Sequence, residues 1–527
     1  GKETPESGVP HSLPLASLRH QDARSLLACF APHDGAELEP LVHVCRGVPL
    51  ALCLVGSALA LESDLDLDGY LCDLRETQAG LPPVEAVLRV SLSLAPAERQ
   101  AQWRALGLLH GFDAAVAATV WDVPRAVAAE RVDDLVARRL IEPSPVATEP
   151  HSRYHMHEAL RAYALAAMEE TERACAHVRI ATHYVEVLRR AARLCAHEGE
   201  DLRAGLALLD LEWDNVHDGQ AWAAQSLAQS REAGQLCSAY ADVGGRCLEW
   251  RAPLKTQIRW LYDAVRAARE WVKPDAEIRH LGRLAALYQC QDKVDQAISH
   301  YREALSVARQ VKNLPAQSDI LGNLGLIFSA SGDHERAFGH FQQALNVAQD
   351  LGDRESEGNW VGNLGNAYSA LGEIEQALRC HRQALDVARE RGDRRREAIW
   401  LGNLGNSHMA MGEPQAAIEA YQRAIEIARE IEDLREQARM WGNLGNACCA
   451  QRDSQGALAA YESALKIARE LADLGGEGIW LVNKCLVLEQ QGRRAEAIAC
   501  AQAARDVLRR AGSAELAEVE ALLARWQ

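Results

Sequence analysis

Leu321-Gly322-Asn323-Leu324-Gly325 recurs as Val361-Gly362-Asn363-Leu364-Gly365, Leu401-Gly402-Asn403-Leu404-Gly405 and Trp441-Gly442-Asn443-Leu444-Gly445, at a period of 40 residues. Each string opens one helix and is followed by an alanine-centred second one, carrying Ala337, Ala377, Ala417 and Ala457, then Ala344, Ala384, Ala424 and Ala464 seven positions later. Two helices therefore make one unit. Weaker copies lie in register at Gly282-Arg283-Leu284-Ala285 and Val482-Asn483, which gives six units from about 275 to 512, and Gly245, Ala264 and Ala268 mark a degenerate one at about 238–275.

A period near 40 is compatible with HEAT or armadillo units (about 40–47) and longer than the tetratricopeptide repeat (about 34). The small-residue code decides between them. Leu364, Gly365 and Tyr368, then Ala377, His381 and Ala384, reproduce the tetratricopeptide order of Leu-Gly, aromatic, Ala, aromatic, Ala, with His381 off type. Tyr301, Phe341, Tyr421 and Tyr461 occupy the His381 position elsewhere. The six extra residues lengthen the helix pair by about 9 Å. The array resembles the long-repeat tetratricopeptide class of scaffold proteins and bacterial signalling ATPases, which implies a right-handed α-solenoid.

Glycines within helices cost about 1 kcal/mol each relative to Ala, so Gly362 and Gly365 point to close packing, Gly365 where the second helix crosses with Ala377 and Ala384. Trp360, Trp400 and Trp480 share one register and predict wedges between successive units. Asparagine is a poor helix former, yet it recurs mid-helix. By the family's pattern Asn366, Asn406 and Asn446 point into a concave groove that grips a protein or peptide, or a small molecule. They form either ligand contacts or a solvated stripe. Asn363, Asn403 and Asn443 are weaker candidates that either reach the ligand or bond the adjacent inter-helix turn. In the last unit Lys484, Cys485 and Leu488 replace the code, and residues 513–527 follow as a capping helix, as the end of a solenoid requires.

The whole chain of 527 residues carries 74 acidic and 57 basic side chains, a net charge of −17. That balance disfavours nucleic-acid and anionic-membrane partners. The longest uncharged apolar run, Gly47 to Leu61, contains Pro49 and falls short of the roughly 20 residues a membrane span needs. Ala and Leu dominate over Val, Ile, Phe and Thr, which predicts an all-α protein. Fourteen cysteines without a C-x-x-C pair read as packing residues of a reducing, cytoplasmic protein. The opening Gly1-Lys2-Glu3 points to a tag remnant or linker over 1–10, and to a fragment of something longer.

Upstream of the repeats, Cys45-Arg46-Gly47-Val48-Pro49-Leu50-Ala51-Leu52 is a glycine helix stop followed by proline in the first turn of the next helix. It resembles the G-L-P-L-A-L string of the STAND class of signalling ATPases (the NB-ARC group), with Val48 its one departure. Leu13-Pro14-Leu15, Asp22-Ala23 and Leu26-Leu27 resemble the same family's helical lid, which sets a lid domain at 11–80. Over 84–168, Trp103-x-x-Leu106-Gly107-Leu108, Phe112-Asp113 and Leu135-x-x-Arg138-Arg139-Leu140-Ile141 resemble its winged-helix domain, which implies a small β wing. Tyr154-His155-Met156-His157-Glu158 resembles the family's Met-His-Asp motif, with Glu158 for Asp. The bland alternative for His157 is an imidazole that holds a strand-to-helix corner. Leu211-Glu212-Trp213-Asp214-Asn215-Val216 resembles the family's helical connector, here 171–237, leading to a superhelix over 238–512.

The resemblance implies that Pro49 and His157 contact ADP or ATP held by a nucleotide domain upstream of Gly1, with an effector domain further upstream. A ligand on the repeats would then shift the protein toward an open homo-oligomer. Within this chain no G-x-x-x-x-G-K-[ST] loop exists to cradle phosphate. No nucleophile elbow, H-E-x-x-H or paired-carboxylate motif offers catalytic residues. The expectation is a non-enzymatic regulatory and sensing segment with no cofactor of its own. A constitutive scaffold and a transcriptional regulator of the STAND class are the alternatives. Cys448-Cys449 and His155-x-His157 are too isolated to read as zinc sites.

Overall fold

A left-handed residue followed by a capping acid punctuates the C-terminal half of the chain. Gly332, Gly352, Gly372, Gly392 and Gly412 all have positive φ at intervals of 20 residues, and Lys312, Glu432, Arg452 and Ala472 take the same conformation at the equivalent places. For these side chains the left-handed region costs about 1–2 kcal/mol. Asp333, Asp353, Asp393, Asp433, Asp453 and Asp473 come next, and each accepts backbone N–H groups of the following helix. Such caps contribute about 1 kcal/mol apiece.

The computed structural model describes residues 17–526 apart from 31–34, 63–64, 79, 145–151 and 198. The 1–10 segment and the Leu13-Pro14-Leu15 string lie outside the described residues. The chain divides into two units between Lys273 and Pro274.

In the first unit, α1 (His20–Ala28), α2 (Gly35–Cys45), α3 (Pro49–Leu61), α4 (Leu67–Gln78) and α5 (Pro83–Ser93) form a helical cluster. There follow α6 (Ala97–Leu106), α7 (Ala114–Trp121), α8 (Arg125–Ala137), β1 (Glu142–Pro143), β2 (Tyr154–His155) and α9 (Glu158–Ala166). The two strands pair antiparallel, Glu142 with His155 and Pro143 with Tyr154, and Phe112 bridges to Tyr154. This is the small β wing. Long helices α10 (Glu170–Leu194), α11 (Glu200–Ser226), α12 (Arg231–Arg251) and α13 (Leu254–Glu270) complete the unit. The hairpin of α12 and α13, read from sequence as the degenerate repeat, places Tyr240, Cys247, Leu248 and Trp260 in the same apolar core as Tyr184 and Leu188 of α10.

A buried polar cluster explains the connector motif. Glu212 and Asn215, three positions apart on α11, are 6% and 3% exposed. Arg153 beside the wing donates to both Glu212 oxygens, and Tyr184 Oη donates to Oε2 at 3.3 Å. Asn215 Nδ2 donates to Gly111 O at 2.9 Å while its Oδ1 accepts from His110 N, also at 2.9 Å. Asn215 Nδ2 also donates to Glu212 Oε2 at 3.2 Å, so the acid finds a cation and two neutral donors out of water, as a buried charge requires. It ties α10 and α11 to the turn before α7 and to the wing.

The second unit stacks six helix pairs, each first helix followed by its second: α14 (Pro274–Gln289) and α15 (Val294–Gln310), α16 (Leu314–Ala330) and α17 (His334–Leu351), α18 (Arg354–Ala370) and α19 (Ile374–Arg391). The series continues with α20 (Arg394–Ala410) and α21 (Pro414–Glu430), α22 (Leu434–Ala450) and α23 (Ser454–Glu470), α24 (Leu474–Gln490) and α25 (Arg494–Ala511). Each helix packs on its neighbours in sequence, and the first helices of successive pairs also touch one another in a row. This is an all-α solenoid. Its last surface is covered by α26 (Leu516–Trp526), whose Val519, Leu523 and Trp526 are buried against Leu508, Ala504 and Ala501. Among the described residues no helix is long and apolar enough to cross a membrane.

The repeated glycines have two distinct partners, and neither is the alanine pair expected from the sequence. A Cβ on Gly365 would come within 2.5 Å of the His381 ring, and one on Gly405 within 2.5 Å of Tyr421, so this glycine seats the aromatic of its own second helix. Gly322, Gly362 and Gly442 seat Trp360, Trp400 and Trp480 of the next pair. Those tryptophans in turn stack on Phe341, His381 and Tyr461 at a centroid separation of 6.5 Å. The wedge reading holds. In the last pair Ala501 stands in the aromatic register, and there the glycine position carries a side chain, Cys485, fully buried.

Candidate functional site

Along the row of first helices the asparagines bond one another. Asn403 Nδ2 donates to Asn366 Oδ1 at 3.1 Å, Asn443 Nδ2 to Asn406 Oδ1 at 3.2 Å, and Asn483 Nδ2 to Asn446 Oδ1 at 3.3 Å. Each link joins neighbouring pairs 37 residues apart in sequence. Asn403 and Asn443 therefore reach across to the preceding pair, whereas a bond to the inter-helix turn was the structural alternative read from sequence. In Asn363's case the place of the acceptor is taken by Leu326, which has no amide.

Every acceptor in this ladder also takes a second bond from the buried ring of its own pair. Tyr421 Oη donates to Asn406 Oδ1 at 2.7 Å, Tyr461 Oη to Asn446 Oδ1 at 2.6 Å, and His381 Nε2 lies 3.1 Å from Asn366 Oδ1. With both lone pairs of Oδ1 engaged, the amide of Asn366, Asn406 and Asn446 is fixed in orientation. Its NH2 group is then the free edge. All three residues are exposed, and their Nδ2 atoms make no hydrogen bond among the described residues. Asn403 and Asn443, half-buried, have committed their Nδ2, and their Oδ1 accepts no hydrogen bond among the described residues. Each step thus presents one donor and one acceptor.

His381, off type in the sequence, acts here as a tyrosine substitute. Ser407 Oγ, fully buried, lies 2.9 Å from His381 Nδ1 and 3.1 Å from Asn403 O. It is the Asn366 oxygen, which can only accept, that calls for the ring proton on Nε2, serving Asn366 as the tyrosine hydroxyls serve their asparagines. Burial lowers the His381 pKa to about 4. An unfolded histidine titrates near 6.5, so between those values the unfolded chain binds more protons and stability falls with acidification. The second unit is therefore expected to lose stability as pH drops from about 6.5 toward 4, with no further loss from this group below that range. Burial and two arginines push His340 in the same direction. Hydrogen exchange of α19 across this range in the full chain checks it, and His381→Tyr, copying Tyr421 and Tyr461, is expected to flatten the profile.

Pro49 is the first residue of α3 and half-buried. Before it, Arg46 and Gly47 are both left-handed, and Leu18 N donates to Gly47 O at 2.7 Å. A Cβ at Gly47 would lie 2.6 Å from Leu18 O, which accounts for that glycine. His157 is exposed and caps α9, its Nδ1 accepting from Ala159 N at 3.2 Å. The neutral ring then carries its proton on Nε2. The helices that Pro49 opens and His157 caps, α3 and α9, both pack on α5. His155 lies 3.7 Å from Glu142 across the strand pair, and Cys449 Sγ lies 3.6 Å from Tyr461 Oη. Cys45, Cys195, Cys237, Cys247, Cys448 and Cys485 are buried, as packing residues would be, while Cys29, Cys72, Cys175 and Cys290 are exposed.

Sequence reasoning missed Arg153, Ser407 and the pairing within the ladder. The spacing of Glu212 and Asn215 was a signal, since two polar residues three apart amid Leu and Val share one helix face.

Among curated proteins the chain is 36% identical over 143 residues to "Regulatory protein AfsR" of Streptomyces coelicolor, a match covering 25% of this chain and 14% of that protein's length. Among solved structures, the chain resembles a Signal Transduction ATPase with Numerous Domains (STAND) protein with a tetratricopeptide repeat sensor, PH0952 from Pyrococcus horikoshii. The identity is 15%, with 97% of this chain and 75% of that one covered and a TM-score of 0.46. Aspartyl phosphate phosphatase F from Bacillus subtilis matches at 11% identity, 65% and 95% coverage and a TM-score of 0.45. The tetratricopeptide repeat family model matches residues 276–350, 330–390, 355–430, 396–470 and 436–510, the stretch built from the helix pairs and glycine-seated rings described above. Residues 276–510, somewhat under half of the chain, thus match the tetratricopeptide repeat.

Proposed function

We propose that the asparagine ladder of the second unit grips the main chain of an extended peptide segment, and that the first unit is the lid, winged helix and connector of a STAND signalling ATPase whose response this binding controls. The observation that carries the first part is one free NH2 at each step, on an amide whose oxygen takes two intramolecular bonds, and one free amide oxygen, on an amide whose NH2 makes one. Those groups match the C=O and N–H of a peptide backbone and need no reorganisation on binding, which limits the entropic cost. Repetition of the same pair from Asn366 to Asn483 suits a ligand with a repeating backbone better than a compact small molecule.

Asn406→Asp and Asn446→Asp test this reading, because aspartate keeps the oxygen that Tyr421 or Tyr461 and the next asparagine need while replacing only the outward NH2. Peptides selected from a random displayed library on the full chain are expected to bind each variant about 3- to 10-fold more weakly, one lost hydrogen bond apiece. Equal binding by both variants would refute the groove.

The regulatory part rests on the strings around Pro49 and His157 and on the AfsR match, the chain spanning 14% of the length of that relative. In this reading ADP on an upstream nucleotide domain contacts Pro49 and His157 Nε2 and holds the resting state. The peptide favours an open oligomer by binding it better, the condition for any population shift. A DNA-binding role for the winged helix fits poorly, since α8 carries Arg125 and Arg131 against Glu130, Asp133 and Asp134, with Arg131 already paired to Glu98. A cytoplasmic setting follows from the same reading.

A further inference from the structure

His20, Glu39 and His43 converge on one patch of the helical cluster. His20 is the first residue of α1; Glu39 and His43 lie four apart on α2, hence on one face of that helix. One ligand atom from each falls within 4.8 Å of the other two. His20 Nε2 bonds Glu39 Oε1, His43 Nε2 lies 3.9 Å from the same oxygen, and the two imidazoles are 5.3 Å apart between centroids. This set has no part in the ladder or in the residues around Pro49 and His157.

Two imidazoles and a carboxylate are the ligand chemistry of a zinc-class divalent cation. In tetrahedral sites such a cation is met by nitrogen at about 2.0–2.1 Å and carboxylate oxygen at about 2.0–2.2 Å. All three side chains are at least 39% exposed, so they can rotate by the small amount that closing on one ion requires, and the position left open faces water. The helical i, i+4 pair supplies a chelate from α2 alone, and His20 adds a ligand from a second helix. We propose that His20, Glu39 and His43 bind one divalent zinc-class cation, with water as the fourth ligand, cross-linking α1 to α2. The carboxylate offsets one of the two metal charges, and neutral imidazoles supply the remaining donors.

The full chain, stripped with chelator, would be titrated with Co2+ as a spectroscopic probe and with Zn2+ by calorimetry. One equivalent is expected, with the visible bands of a tetrahedral nitrogen and oxygen site and no thiolate-to-metal charge transfer. Zn2+ should also slow hydrogen exchange in α1 and α2. His43→Ala and Glu39→Ala are each expected to weaken binding at least about tenfold, the lower figure even for partners that only orient a ligand. His43→Gln, which keeps a helix-compatible polar side chain, repeats the test where alanine disturbs folding. His155→Ala should leave the affinity unchanged. Affinity unaltered in the Glu39 and His43 variants, a thiolate band, or no stoichiometric binding would each overturn the proposal.

Discussion

Glu212→Ala is expected to destabilise the first unit by about 3–5 kcal/mol, the usual cost of removing one partner from a buried ion pair. The loss is large because three groups depend on this carboxylate. Arg153, with only 12% of its side chain exposed, keeps its charge and loses the group that neutralises it. Tyr184 Oη, buried, loses its acceptor, and Asn215 keeps only its bonds to His110 and Gly111. Hydrogen exchange should rise in α10, in α11 and in the segment from Gly107 to Asp113, where the cluster makes its contacts. Unchanged exchange in all three would show that the cluster adds nothing to the fold. Replacing both Glu212 and Arg153 with leucine removes the stranded charge, so the double variant is expected to recover part of the loss. A double variant worse than Glu212→Ala would contradict this account.

How much of this could be read from the sequence depends on distance along the chain. The helix pairs were legible because their code is local: glycine, alanine and aromatic registers repeat every 40 residues, and one string of five predicts the next. The strand pair was legible only through the resemblance of residues 84–168 to a winged-helix domain, which implied it. What stayed hidden is bonding that no local rule orders. Asn403 reaches Asn366 over 37 positions, and Arg153 reaches Glu212 over 59. Gly365 was correctly assigned to close packing against the second helix, but the group that fills the gap is the His381 ring rather than Ala377 or Ala384. The same limit applies to His381 itself. In sequence it breaks the aromatic register, and its equivalence to Tyr421 and Tyr461 depends on Ser407, which sits 26 residues away in the next pair. The His20, Glu39 and His43 set offered only a four-residue spacing on one helix, too common to single out without the third ligand.

The paired substitutions Trp360→Ala and Gly322→Ala should show a reversal of sign. Trp360 is 8% exposed, stacks on Phe341, and donates from Nε1 to Ser318 Oγ at 2.9 Å, so its truncation opens a cavity between successive pairs and strands a donor's partner. Losses of this kind run to about 3–5 kcal/mol. Because each pair contacts only its neighbours, the damage should concentrate at the junction of α16, α17 and α18 and reduce the cooperativity between the two sides of the array. Gly322→Ala alone is also destabilising, since its Cβ would overlap the Trp360 ring and force the two first helices apart. Once Trp360 is alanine that overlap is gone. The same substitution should then stabilise, by up to about 1 kcal/mol, through the ordinary preference of a helix for Ala over Gly. Urea unfolding of the four chains closes the double-mutant cycle, whose coupling measures the contact between glycine and ring. If Gly322→Ala carries the same sign in both backgrounds, the glycine is not there to seat the tryptophan, and the wedge account of how successive pairs interlock fails with it.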